Sequence, residues 1–167
     1  MAPETTLAEL PGRQRAAAVW AAFATRDPDQ ISAVLTADAE WLAPPDNATA
    51  LAIVGGTSHM IGRDRIVRFL TQELGTAFVA DRTFDVAAMF TDGDTVITEA
   101  RITCTLPRGG HYENDYCFIF EFSGGRLHRI REYMDTRHGA AQFAADAARS
   151  PGAARSPGAA RSPGAAS

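Results

Sequence analysis

Apolar residues recur every three to four positions in the first half of the chain and every second position in the rest, which predicts helices first and strands last. Over 11–26, Val19, Trp20 and Phe23 share one helical face. Asp27-Pro28 supplies a cap and a first-turn proline for a second helix, with Ile31, Val34 and Leu35 as its buried stripe. A short strand over 39–43 ends at Pro44-Pro45, and a loop containing Gly55-Gly56 leads to a third helix near Arg63, whose Ile66, Phe69, Leu70 and Leu74 again fall at helical spacing. From Arg82 the period is two, predicting strands at 82–90, 95–106, 112–122 and 126–136. Asp92-Gly93-Asp94, Arg108-Gly109-Gly110 and Ser123-Gly124-Gly125 sit between them as hairpin turns. The expected architecture is α+β, with three N-terminal helices packed on a strongly curved antiparallel meander.

Two segments fall outside this pattern. Residues 1–10 are expected to be a flexible N-terminus. At the other end, Arg149-Ser150-Pro151-Gly152-Ala153-Ala154 is followed by two further copies and Ser167. Proline and glycine in every unit oppose both helix and ladder, so 146–167 is expected to be a disordered tail. One domain over 11–145 remains.

Strand parity then assigns faces. In the third long strand Asn114, Tyr116, Phe118, Phe120 and Phe122 share one side, and Glu113, Asp115 and Glu121 the other, so the aromatic side is the buried one. In the last strand Arg129 and Arg131 prefer water, which turns Ile130, Glu132 and Met134 inward. A carboxylate on an apolar face is the informative feature: without a partner its pKa rises, and it becomes a general base or acid near neutral pH. The competing reading is a structural ion pair, with Arg101 as the natural partner. The second long strand does not orient itself. Val96, Ala100, Ile102 and Cys104 form an apolar set, and Ile97, Glu99, Arg101 and Thr103 a mixed one. Patterning buries the former, whereas a shifted hairpin register would turn Glu99 and Arg101 into the cup.

Composition narrows the function classes. Sixteen basic against twenty acidic residues give a net charge of −4, which argues against a nucleic-acid partner. No stretch approaches the length of a membrane span, so no membrane partner is expected. Two cysteines, Cys104 and Cys117, lack metal-ligand spacing and fit a reducing, cytoplasmic setting. Dinucleotide fingerprint, phosphate loop, metal cluster and nucleophile elbow are all missing, so no cofactor and no metal are expected.

The run Gly110-His111-Tyr112-Glu113-Asn114-Asp115-Tyr116-Cys117-Phe118-Ile119-Phe120-Glu121-Phe122, then Gly125-Arg126-Leu127 and Arg131-Glu132-Tyr133-Met134-Asp135-Thr136, resembles the C-terminal half of SnoaL-like proteins of the nuclear transport factor 2-like superfamily, related to ketosteroid isomerases. Over about residues 10 to 145, the resemblance implies a cone-shaped α+β barrel around a hydrophobic pocket for a small apolar ligand, and a homodimer through the outer sheet face. Compared with the limonene-epoxide hydrolase branch, the catalytic aspartate of the last strand falls on Glu132. The branch's Arg-x-Asp pair falls either on Glu99-x-Arg101, with charges exchanged, or on Ala100 and Ile102, so its acid–base set is not intact. Two functions follow as expectations. The first is a cofactor-independent isomerase, dehydratase or cyclase, with Glu132, Glu99 and Arg101 as the catalytic set. The second is a non-catalytic binding or dimerisation module. Ligand contacts are expected from Tyr116, Asn114, Trp41, Phe118, Ile130 and Met134, and from His59 in the loop at the pocket mouth.

Overall fold

In the computed structural model, residues 7–149 are described. Most of the expected N-terminal segment and the repeat tail from Ser150 onward therefore lie outside the described residues. Leu7–Glu9 forms a short 3-10 turn, and Leu7 packs on the core.

Helix α1 (Gly12–Thr25) buries Ala16, Val19 and Phe23, and Arg26 in the left-handed region ends it. Helix α2 (Pro28–Val34) begins as its sequence dictates: the Asp27 carboxylate accepts from the backbone N–H groups of Asp29 and Gln30. Leu35 does not continue its stripe but opens strand β1 (Leu35–Leu42), four residues earlier than expected. A one-turn helix α3 (Ala48–Ala52), capped by the Asn47 side chain, and the three-residue strand β2 (His59–Ile61) follow. Helix α4 (Arg63–Arg68) then runs through a wide π-turn at Phe69–Glu73 into α5 (Leu74–Ala77). Such turns are rare and concentrate at functional sites. This one sets Phe69 and Leu70 beside each other on the inner face.

Strands β3 (Ala80–Asp92), β4 (Thr95–Thr105), β5 (His111–Ser123) and β6 (Arg126–Met134) form the expected meander. At the tight β5–β6 turn, Gly124 and Gly125 have φ of 55° and 79°, the pair of positive values that a two-residue hairpin matched to strand twist requires. The sheet order is β2-β1-β6-β5-β4-β3. All pairs are antiparallel except β1 with β6, which run parallel, so the sheet is mixed and open rather than a wholly antiparallel meander. No hairpin links those two strands, and hairpin signals are what sequence reading detects. No helix among the described residues is long and apolar enough to cross a membrane.

The chain has one more element than its periodicity showed. Helix α6 (Thr136–Ala147) is capped by Asp135, whose carboxylate accepts from His138 N–H at 2.8 Å. It packs on β5, with Phe143 against Phe78 and Tyr112. Gln142 satisfies the β5 edge that β6 leaves free, accepting from Glu113 N–H at 2.7 Å and donating to Glu113 C=O at 2.9 Å. Asp146, assigned to the tail from sequence, is buried instead and accepts from the N–H groups of Arg108 (3.0 Å) and Gly110 (2.7 Å). The domain therefore extends past residue 145. Replacing Asp146 with Ala strands two hairpin N–H groups, and we expect a loss of about 2–4 kcal/mol in urea unfolding. A change under about 0.5 kcal/mol, the range of ordinary surface substitutions, would mean the clasp is ornamental.

Candidate functional site

Between the helices and the inner sheet face lies a hollow of about 560 Å³, within the range typical of small-molecule sites. Its walls are largely apolar and carry a run of aromatic rings. Trp20 and Phe23 come from α1 and Phe69 from the π-turn, while Trp41, Phe84, Tyr116 and Phe118 come from the sheet. The rings form a connected lining. Phe23 stacks on Trp41 at 6.0 Å, Trp41 meets Phe69 edge-on at 5.5 Å, and Trp20 contacts Phe118 at 4.8 Å. Tyr116 and Phe118 stack in parallel at 5.4 Å.

Glu132 breaks this lining. The β5–β6 register puts it opposite Phe118, with Tyr116 one pair further along the same face opposite Met134. Its Oε2 accepts from the Trp41 indole N–H at 2.6 Å. No cation pairs with it among the described residues. The residue is half-buried and lines the hollow. Burial pushes its pKa up to about 7, with the Trp41 hydrogen bond opposing the shift.

The second polar group is the Tyr116 hydroxyl, 2.7 Å from that of Tyr112. Asn114 anchors this pair, in which either hydroxyl can be the donor. Its Oδ1 accepts from Asp115 N–H, and its Nδ2 donates to Asp135 C=O at 2.9 Å and to Tyr112 Oη at 3.3 Å. Tyr112 is buried, so its own proton needs an acceptor, and Tyr116 Oη is the one within reach. In the arrangement where Tyr112 donates, the Tyr116 proton is left to point into the hollow. Burial, followed by the neighbouring Tyr112 and Glu132, raises the Tyr116 pKa well above that of a free phenol, so the group stays protonated. Burial also takes the Cys104 thiol up to about 12, which removes it as a nucleophile.

Of the residues expected at the site, Glu132, Tyr116, Trp41 and Phe118 line the hollow. Asn114 is buried one step behind, acting through Tyr112. Ile130 is fully buried beneath the lining, and Met134 packs against the core at the end of β6; neither lines the hollow. His59 is not at the mouth. In β2 it is Met60 that turns inward, leaving His59 exposed beside Glu40 at 3.4 Å. Glu99 and Arg101 are also not in the cup. The register pairs Thr98 with Phe118 and Ala100 with Tyr116, which sends the odd-numbered residues of β4 to the outer face. There Arg101 makes a two-pronged contact with Asp115 at 2.8 and 3.1 Å. The proposed Glu132–Arg101 pair therefore does not form, and β4 turns Thr98, Ala100 and Ile102 toward Glu132's side of the sheet instead. Sequence reading did not single out Tyr112, although it shares parity with Asn114 and Tyr116 and stands in the quoted motif. Among the described residues no group of three or more His, Cys, Asp or Glu could hold a metal ion.

A family model described as a SnoaL-like domain matches residues 16–130. No curated protein matches the sequence significantly. Solved structures share the fold at low identity. A nuclear transport factor 2-like protein from Burkholderia thailandensis is 23% identical, with TM-score 0.67, covering 80% of this chain and 98% of its own. TerC, crystallised with polyporic acid, is 21% identical, with TM-score 0.67, covering 81% and 99%. A Catenulispora acidiphila protein of ketosteroid isomerase-like fold, in complex with trimethylamine, is 17% identical, with TM-score 0.60, covering 76% and 89%.

Proposed function

The chain belongs to the SnoaL-like domain family, and from that premise we propose that it is a cofactor-independent acid–base enzyme that moves a proton on a small, largely apolar carbonyl compound held in the hollow. Glu132 is the base and Tyr116 the hydrogen-bond donor. The substrate carbonyl oxygen accepts from Tyr116 Oη–H, and Glu132 takes a proton from the adjacent carbon. The C–H electron pair becomes the enolate π-bond while the carbonyl π-pair moves onto oxygen, where the aimed phenol stabilises it. Glu132, now protonated, returns the proton to another carbon in an isomerisation, or to a departing oxygen in a dehydration. Trp41 holds the carboxylate in place, and the aromatic walls keep water from the enolate.

The observation that carries this reading is the company Glu132 keeps: a carboxylate without a cationic partner, poised near neutrality, lines the same apolar hollow as the buried Tyr116 phenol. The test uses no knowledge of the natural substrate. A panel of enolisable aryl and alicyclic ketones is incubated with the protein in deuterated buffer, and α-hydrogen exchange is followed by proton NMR. We expect catalysed exchange with at least one ketone, with kcat/KM rising through about pH 7 as Glu132 ionises. Ligands that bind without any exchange would favour a binding module instead. On the outer face Ile97, Cys117 and Ile119 are only partly buried, and Phe90 and Tyr133 are about half exposed. That surface supports a homodimer.

A further inference from the structure

The charges at the mouth of the hollow differ in sign from the chain as a whole. The protein carries a net −4, yet apart from Glu132 and Tyr116 the ionisable residues that line the hollow are Arg26, Arg65, Arg82 and Asp81, with Arg26 and Asp81 exposed and Arg65 and Arg82 half-buried. Two of these are already engaged. Arg65 lies 2.9 Å from Glu73, which also takes Arg68, and Asp81 accepts from the Thr105 hydroxyl at 2.7 Å. The guanidinium groups of Arg26 and Arg82 make no hydrogen bond or ion pair with any described residue, although the Arg26 backbone N–H donates to Phe23 C=O at 3.4 Å. Arg26 follows α1 and reaches across α5, where its Nη1 would lie 3.7 Å from a Cβ on Gly75. Arg82 is half-buried at the irregular start of β3, beside Asp81 with its φ of 51°. Two guanidiniums without side-chain partners, on residues that reach solvent, thus line a space rich in aromatic rings whose one lining carboxyl among the non-exposed residues is Glu132.

We propose that the molecule bound here is a flat, conjugated carboxylate, with its rings among Trp20, Trp41 and Phe118 and its acid group left at the mouth on Arg26 and Arg82. The inference rests on reading the hollow as the substrate site, and it adds the charge and shape of what enters. Guanidinium suits a carboxylate because its fixed fork matches two oxygens and is weakly hydrated. Flat rings suit the lining because offset stacking and edge contacts are available on several walls. A carboxylate at the mouth also keeps a second negative charge away from Glu132, whereas the reverse orientation would set two acids together in a poorly solvated space.

Isothermal titration calorimetry with three probes of one shape tests this: 2-naphthoate, 2-naphthamide and 2-naphthylmethylammonium. We expect naphthoate to bind tenfold or more tighter than the amide at low salt, with added salt narrowing the gap. Arg26→Gln and Arg82→Gln should each weaken naphthoate about fivefold, the scale of a partly exposed charge pair. Each should weaken the amide much less than the acid, since a neutral carbonyl lacks the charge attraction, and unchanged far-UV circular dichroism checks that each variant is folded. Equal affinity for naphthoate and the amide, tightest binding of the ammonium, binding of none of the three at millimolar concentration, or arginine variants without effect would each overturn the proposal. These outcomes are separable from failure of the acid–base reading. An amide bound as well as the acid removes the charge preference but leaves proton exchange at Glu132 intact, and exchange is measured independently on neutral ketones.

Discussion

Glu132→Gln should slow proton exchange by about 10²–10⁴-fold, the range over which a positioned general base contributes. The substitution is close to isosteric. The Gln carbonyl can still accept from the Trp41 indole, so the walls of the hollow and the Tyr116 donor stay in place, and only the proton acceptor is lost. KM should therefore change little while kcat falls. The effect should be visible with any ketone that the wild-type protein exchanges. Exchange within threefold of wild type in a folded Glu132→Gln protein would exclude Glu132 as the base and leave the fold without a proton carrier in the hollow.

The same variant should stabilise the protein in alkaline buffer. A carboxyl with a folded pKa near 7 and an unfolded value near 4.5 is protonated more fully in the native state between those limits. Stability from this group is present below about pH 4.5 and is lost as pH rises through about 7. Its size is about 3 kcal/mol, from a shift of roughly two to three pKa units. Urea unfolding of wild type should therefore weaken from pH 5 to pH 8.5, and Glu132→Gln should lack that part of the decline. Near pH 5 the two should nearly coincide, and at pH 8.5 the variant should be more stable by about 2–3 kcal/mol. Asp27, Asp38 and Asp115, whose pKa values are lowered, act on the other flank, where stability falls as pH drops below their ordinary value. They cancel in the difference between the two proteins. A variant less stable than wild type at pH 8.5 would instead signify that the carboxylate charge is compensated, as in a structural ion pair.

The features legible in the sequence are those set by neighbouring residues. Asp27-Pro28 opened α2 because cap and proline act within one turn. Gly124-Gly125 marked its hairpin because the turn needs two positive φ values. The inward placement of Glu132 followed from parity alone, since Arg129 and Arg131 could not share the side of Phe118. Strand β4 was ambiguous for the opposite reason: Ile97 and Ile102 are both apolar and lie on opposite faces, so only the register with β5 decides, and it moved Glu99 and Arg101 outside. The Trp41–Glu132 bond spans 91 positions and arises from the parallel contact of β1 with β6, for which the chain has no local signal. Helix α6 was missed because its apolar stripe is thin, although Asp135 with His138 three residues later is an ordinary helix start.

Both tryptophans of the chain, Trp20 and Trp41, border the same enclosed space. The ultraviolet emission of the unlabelled protein therefore originates next to whatever fills that space, and one of the two emitters is bonded to the carboxyl whose ionisation matters most. Occupancy and protonation are written into the same optical signal, so native fluorescence can follow both without a dye or an engineered probe.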